Sequence, residues 1–361
     1  MINISILTNN TAPNSRAFNT PLLVSRTLLK NKGLNLKFHF SLSTKLFSAD
    51  ILFVNSNFFR SYWQSDKKNQ IFDLLKNAEQ AKIKIVWFDT TDSTWCTQFE
   101  VLPYVDKFLK SHLLKDKKLY LKNYKTGRIF TDYFDKLYKS GEREEDYPPA
   151  DKKNIEKIGL SWNPCFERYN EKRYSFGRRL AHLLKPWTAN IIQEAMKIEF
   201  TNPENKRHQE ISARFGLTHS RPSVVDHRKA VAEILHKRGV QTSRIPLEKY
   251  FEEMRNSQIS LSPFGVGEFC YRDYETIICG AALLKPDMSH LETWPNLYQE
   301  NKTYIPHKWD LSDLNEKIDY LLENSESRTA IAENAQQFYK KTLSQEGMEE
   351  FAERIVKIVN H

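Results

Sequence analysis

The chain alternates between short apolar runs and longer stretches with helical spacing. Residues 3–7 carry isoleucine at alternating positions, the pattern of a strand with one face inward. A turn rich in Asn, Thr, Pro and Ser follows, and residues 21–30 have the apolar spacing of a helix that Gly33 stops. The runs 49–55 and 83–88 read as buried parallel strands, with a helix over 71–81 between them. Residues 120–151 break the pattern. Their run Glu142-Arg143-Glu144-Glu145-Asp146 reads as a solvated face with no specific role. Residues 158–164 supply the expected last strand of this half.

The second half repeats the alternation. A strand is expected over 196–201, helices over 224–237 and 246–255, and a strand over 259–263 that runs into a glycine loop. A helix over 272–279, a strand over 281–285 and helices over 314–322, 328–339 and 349–359 complete the pattern. Between the halves, residues 173–186 are basic and amphipathic, with Arg178, Arg179, His182 and Lys185 flanking Leu180, Leu183 and Leu184. They read as a helix covering the junction, with the hinge at Lys185-Pro186; such a helix can also lie on an anionic membrane. The expected fold is α/β, with two Rossmann-like domains facing across a cleft. The first spans 1–185, the second 186–344, and a helix within 345–361 is expected to cross back to the first.

Composition narrows the function classes. A chain of 361 residues suits two domains, and 40% hydrophobic with 27% charged residues excludes wholesale disorder. No apolar run approaches the roughly 18 residues of a membrane span. The first residues lack a basic segment followed by an apolar block, and the four cysteines form no CxxC. The expectation is a reduced, cytoplasmic protein without a disulfide framework or structural zinc, or one peripheral at the inner face of a membrane. A formal charge of +9 suits anionic partners, and it also suits a merely soluble basic protein. The basic residues are dispersed among acids and no helix-turn-helix or RNP pattern is present, so nucleic acid is not an expected partner.

One segment concentrates candidate chemistry: Ser262-Pro263-Phe264-Gly265-Val266-Gly267-Glu268-Phe269-Cys270-Tyr271-Arg272-Asp273-Tyr274-Glu275. It reads as a strand, a loop with two glycines, and a helix beginning near Tyr271. Gly265 and Gly267 permit close backbone approach and positive φ. The helix start offers free N–H groups to a phosphate, Arg272 a planar cation, and Glu275 an acceptor for vicinal hydroxyls. Taken alone, the loop is equally a tight turn before a capped helix.

In context, the segment resembles the group 1 glycosyltransferases of the GT-B fold. Pro263-Phe264-Gly265 matches their loop, Glu275 their donor-contacting glutamate, and Cys279-Gly280-Ala281-Ala282-Leu283-Leu284 the helix end and following strand. Arg272-Asp273-Tyr274-Glu275 is similar to the Arg-x-x-Glu form of exostosin-like enzymes. The resemblance is specific over about residues 259–339. It implies a nucleotide-sugar donor held by Pro263, Phe264, Gly265, Gly267, Tyr271, Arg272, Asp273 and Glu275. The family's first glutamate falls at Gly267 here, and Glu268, one residue later, is the candidate to replace it at the donor sugar. The resemblance also implies a retaining reaction and a role in surface polysaccharide or lipopolysaccharide assembly.

Other candidates follow from position. Arg214 and Arg221 come early in the second half, where a metal-independent enzyme needs cations beside the leaving diphosphate. Arg228 reads equally as a structural ion pair, and His219 as a surface histidine. Asp89 and Asp92 follow the strand ending at Phe88 and are candidates to orient or deprotonate an acceptor hydroxyl, or to cap a helix. Asn9, Asn10 and Asn14 lie at the first strand's end and are candidates to contact acceptor sugar. Asp287 and His290 are candidates for the donor sugar. Phe264, Tyr271 and Trp294 can stack on a base or sugar. No metal-ligand spacing is present, and no cofactor is expected, the nucleotide sugar being a co-substrate. The expected acceptor is a carbohydrate or glycolipid. Rival readings are an epimerase or phosphorylase on the same fold, or a non-enzymatic binder of anionic polymers.

Overall fold

The computed structural model describes residues 1–10, 12–94, 98–145, 147–169 and 198–360. The basic stretch 173–186 and the hinge expected at Lys185-Pro186 lie outside the described residues. So does the start of the strand expected over 196–201; its described part, 198–201, is not a strand.

The first half is a parallel sheet. Strands β1 (Ile2–Leu7), β2 (Leu34–His39), β3 (Ile51–Asn55), β4 (Lys84–Asp89), β5 (Lys107–Lys110) and β7 (Ile158–Leu160) lie in the order β2-β1-β3-β4-β5-β7. Every pairing in it is parallel. β3 is buried at all five positions, as expected of an apolar run with helices on both sheet faces. Helix α1 (Pro13–Val24) starts earlier than its apolar spacing suggests. Pro13 at the first helical position donates no N–H and presets φ, so a segment that reads as a turn begins the helix instead. A break at Ser25 separates it from α2 (Arg26–Asn31). Helix α3 (Lys68–Gln80) covers the sheet with Ile71, Leu74, Leu75 and Ala78 inward.

The second half holds a four-stranded parallel sheet of β8 (Gln209–Ser212), β9 (Ser257–Leu261), β10 (Ala282–Pro286) and β12 (Ile305–His307). Helices α5 (Pro222–Lys237), α6 (Leu247–Asn256), α7 (Tyr271–Cys279), α8 (Leu314–Glu323) and α9 (Ser325–Thr342) surround it. α10 (Gln345–Asn360) leaves that half. Its Met348, Phe351, Ala352, Ile355 and Val359 share a core with Ile4, Ile6, Leu22 and Leu29 of the first sheet and its helices.

Two further connections fix the halves. β6 (Leu113–Leu114) pairs antiparallel with β11 (Leu291–Glu292), one strand from each half. The excursion 115–157 carries α4 (Ile129–Tyr138) against α5, where Phe134 stacks on His227 with ring centres 3.9 Å apart. Its acidic run is only in part the solvated face that the charge pattern suggests: Arg143 and Glu144 are exposed, but Glu142 is not. Glu142 is buried and accepts from the Ser223 amide (3.0 Å) and hydroxyl (2.5 Å) in the first turn of α5. A carboxylate there satisfies an otherwise unpaired donor and faces the positive end of the helix. Among the described residues, no helix is long and apolar enough to cross a membrane.

Candidate functional site

The carboxyl ends of both sheets face a cleft of about 370 Å³. Loops after β4, β5 and β7 form one wall, with the start of α1. The glycine loop after β9 and the first turn of α7 form the other. Of the residues singled out in the sequence as site residues, Asp92, Gly265, Gly267, Tyr271, Arg272 and Glu275 line this cleft.

The glycine loop is built by proximity rather than by unusual dihedral angles. Neither Gly265 nor Gly267 has the positive φ that the sequence suggested. The loop turns through a bond from the Gly265 amide to the Gly267 carbonyl (3.1 Å). A β carbon on Gly267 would lie 1.3 Å from the Asp92 carbonyl oxygen across the cleft wall. No side chain fits there, which is why glycine stands where the resemblance places a glutamate.

Helix α7 aims its amino end at the cleft, with Cys270 and Asp273 closing a capping box. Asp273, which the sequence placed among the donor-binding residues, therefore does not line the cleft. It is fully buried and accepts from Ser262 Oγ (2.6 Å), the Cys270 amide (3.2 Å) and Tyr298 Oη (2.6 Å), and pairs with buried Lys285 at 3.1 Å. This network anchors the glycine loop and helix start from beneath.

Two arginines remain on the cleft wall. Arg228 donates to the Phe264 carbonyl (3.2 Å) and the Gly216 carbonyl (2.9 Å), and Arg272 to the Arg214 carbonyl (2.6 Å). Arg272 Nε is buried with no hydrogen-bond partner. The carbonyls fix both guanidiniums in place; burial lowers the Arg272 pKa, but nearby Tyr250, Cys270, Glu275 and Asp273 outweigh it and raise that pKa. Burial lowers the Arg228 pKa, and Arg272 beside it lowers it further. Glu275, one turn along α7, is 4% exposed and accepts from Tyr250 Oη at 2.7 Å.

On the opposite wall, Asp92 Oδ1 accepts from Asn14 Nδ2 at 2.6 Å, and the same amide donates to the Thr90 carbonyl at 2.9 Å. Asp92 is thus an oriented carboxylate on the wall of the cleft. His112, which the sequence reading missed, lines the cleft beside it. Its Nδ1 lies 3.5 Å from Glu268 Oε2.

Several expected site residues do other work. Glu268 does not line the cleft; it is fully buried behind the wall. It accepts from the Thr94 amide (3.2 Å) and hydroxyl (2.6 Å), and His290 Nε2 lies 3.9 Å away. Burial pushes its pKa up, but hydrogen bonds and charge from His112 and His290 outweigh this and hold the carboxyl well below the usual range. Asp89 is buried in an ion pair with Lys110 and holds the Thr91 amide at 3.0 Å, so it shapes the Asp92 loop from behind. Arg214 forms a bidentate pair with Glu253 (2.6–3.0 Å). Arg221 donates to the Thr126 carbonyl (3.1 Å) and Glu145 (2.5 Å), tying the halves together outside the cleft. Phe264 is fully buried against Phe130 and Trp309. The Pro263 carbonyl accepts from Cys270 Sγ at 3.5 Å. Asp287 accepts from Ser289 in a local turn, and His290 packs edge-on to Trp309 at 4.9 Å. His219 Nδ1 accepts from the Arg221 amide at 3.1 Å, and burial lowers its pKa, followed by the Arg228 and Arg221 charges. Trp294 packs on Phe166 and under Arg354. Asn9 and Asn10 bond within the first half, to the Asn57 carbonyl and Asn19. Among the described residues, no three His, Cys, Asp or Glu side chains cluster so as to hold a metal ion.

Comparison with known proteins bears on the second half most directly. Residues 219–356 match the family model described as glycosyl transferase-like. No curated protein matches the chain. Among solved structures, a glycosyltransferase from Rickettsia africae ESF-5 is 11% identical with a TM-score of 0.46, covering 99% of this chain and 97% of its own. The T4 phage β-glucosyltransferase is 12% identical with a TM-score of 0.43, and an α-glucosyltransferase in complex with UDP is 12% identical with a TM-score of 0.44. Both comparisons cover 100% of either chain. Two parallel sheets thus face each other across a cleft, and residues 219–356 of the second half are similar to a glycosyl transferase-like domain.

Proposed function

We propose that the cleft transfers a sugar from a nucleotide-activated donor to a hydroxyl of a carbohydrate or glycolipid acceptor, without a metal ion and with retention at the anomeric carbon. The observation that carries this reading is the presence of Arg228 and Arg272 on the cleft wall at the amino end of α7, Arg228 held only by carbonyls, with Asp92 on the facing wall. Fixed cations and helix N–H groups stabilise charge that develops on a leaving diphosphate, and they need no rearrangement as it forms.

Glu275 accepts hydroxyl groups of the donor, and Asp92 orients the acceptor hydroxyl. The acceptor oxygen bonds to the anomeric carbon on the face from which the diphosphate departs. The bond between that carbon and the phosphate oxygen breaks, and the acceptor's proton passes to the departing phosphate oxygen. Glu268 acts as a positioning residue behind His112. A role in surface polysaccharide assembly is consistent with such an acceptor.

A thermal-shift screen with nucleotide sugars tests the reading. At least one nucleotide sugar should raise the melting temperature by ligand linkage. Glu275→Ala should abolish that shift while the protein stays folded. Nucleotide release should depend on an added acceptor. Release with inorganic phosphate as the acceptor, or without any, would assign a different reaction.

A further inference from the structure

A second cavity, of about 300 Å³, lies at the other end of the second sheet. Lys206 and Arg207 reach it from the segment before β8, Gln258 from the start of β9, and Arg328 and Thr329 from the first turn of α9. The cleft occupies the carboxyl ends of these strands and this cavity their amino ends, so the sheet separates them. Three cations line it against the single carboxylate of Glu204.

The two arginines are held in an unusual way. Arg207 spends both terminal nitrogens on carbonyls, those of Arg255 (2.6 Å), Ser257 (3.1 Å), Asn202 (3.3 Å) and Cys279 (3.0 Å), and its Nε is buried with no partner. Arg328 Nη1 donates to the carbonyls of Leu321 (2.5 Å) and Leu322 (3.1 Å). Neither forms an ion pair among the described residues, and Lys206 has no acidic partner there either. Carbonyls fix the guanidiniums but leave their charge standing. Burial lowers the pKa of both arginines, and the charge of Arg328 lowers that of Arg207 further. An oxyanion with several oxygens matches this arrangement, because it accepts from the donors that Lys206 and Arg328 retain and offsets the clustered charge, Arg207 contributing charge rather than terminal N–H bonds.

We propose that this cavity binds the phosphate or diphosphate group of a small metabolite, at a site separate from the transfer cleft. Calorimetric titration of the full chain with inorganic pyrophosphate at low ionic strength tests this. Because the cleft also holds arginines, the titration is run in the Arg228→Gln background, which weakens the cleft for diphosphate. Pyrophosphate should still bind in that background, and adding Lys206→Gln or Arg328→Gln should weaken it at least tenfold. Lys206 makes no structural bond, so its substitution probes binding even where Arg328→Gln loosens α9. In the otherwise native chain, Lys206→Gln should leave sugar transfer unchanged. Loss of all pyrophosphate binding in Arg228→Gln alone, or undiminished binding after both substitutions at this cavity, would overturn the proposal.

Discussion

Gly267 and Asp92 meet across the two halves of the molecule so closely that the space of a single methyl group is already filled by the Asp92 carbonyl oxygen. The glycine loop of one half is therefore seated directly on the loop that carries the Asp92 carboxylate of the other. Gly265 differs: a β carbon there meets only side-chain ends, Arg228 Nη2 at 3.4 Å and Cys270 Sγ at 3.7 Å.

This contrast gives a first expectation. Gly267→Ala forces backbone apart, and overpacking of this kind costs about 1–3 kcal/mol. Chemical denaturation should show that loss, with transfer activity reduced more than tenfold. Gly265→Ala should show less than half of the stability loss, because a flexible side chain can yield where a carbonyl cannot.

The arginines separate by their partners. Arg228 touches only carbonyls and lines the cleft, whereas Arg214 is matched to Glu253 away from it. Arg228→Gln should lower kcat/KM by about 10²–10³-fold, the range seen when one preorganised donor to developing charge is removed. Arg214→Gln should leave donor affinity within about twofold and show its effect in thermal stability instead. Steady-state kinetics beside melting curves distinguishes the two.

Acid should destabilise the fold through two buried histidines. Burial, then neighbouring charge, lowers the His227 pKa to about 3, and burial lowers that of His307 to about 4. The unfolded chain takes up protons at both positions as pH falls below about 6.5, while the folded protein does not. The stability these neutral rings contribute is complete above that pH and drains away toward pH 4 and below. At pH 5 the loss is about 2 kcal/mol per histidine. His227→Phe, which keeps the stack on Phe134, should flatten the slope of stability against pH between 6.5 and 4 in urea titrations.

Much of this architecture can be read from the chain. Alternating isoleucines in β1 and the fully apolar β3 announce a parallel sheet, and Gly280 closing α7 announces the turn into β10. β5 escaped because Lys107-Phe108-Leu109-Lys110 is four residues long and ends in a lysine whose burial depends on its partner, Asp89. His112 was lost with it. The candidate site was legible as a segment but not residue by residue. Asp89, Glu268 and Asp273 have the chemistry of catalytic groups, yet each is buried against a partner that arrives from more than twenty positions away or from the other half: Lys110, Thr94 and Tyr298 respectively. Sequence spacing reports side-chain type, while the decision between supporting a wall and lining it is made by tertiary neighbours. Arg228 shows the same limit in reverse: its apolar helix suggested an ion pair, and its actual partners are carbonyls that no local pattern reveals.

The packing of α10 on β1, α1 and α2 has a consequence for how the molecule is assembled. Residues 345–360 are translated after the whole second sheet, yet they cover apolar surface of a sheet whose first strand emerged at the outset. Until that covering arrives, Ile4, Ile6, Leu22 and Leu29 lack part of their shelter, so the earlier half must wait on the later one. The two sheets are accordingly one cooperative folding unit, and calorimetric melting should follow a single transition rather than two.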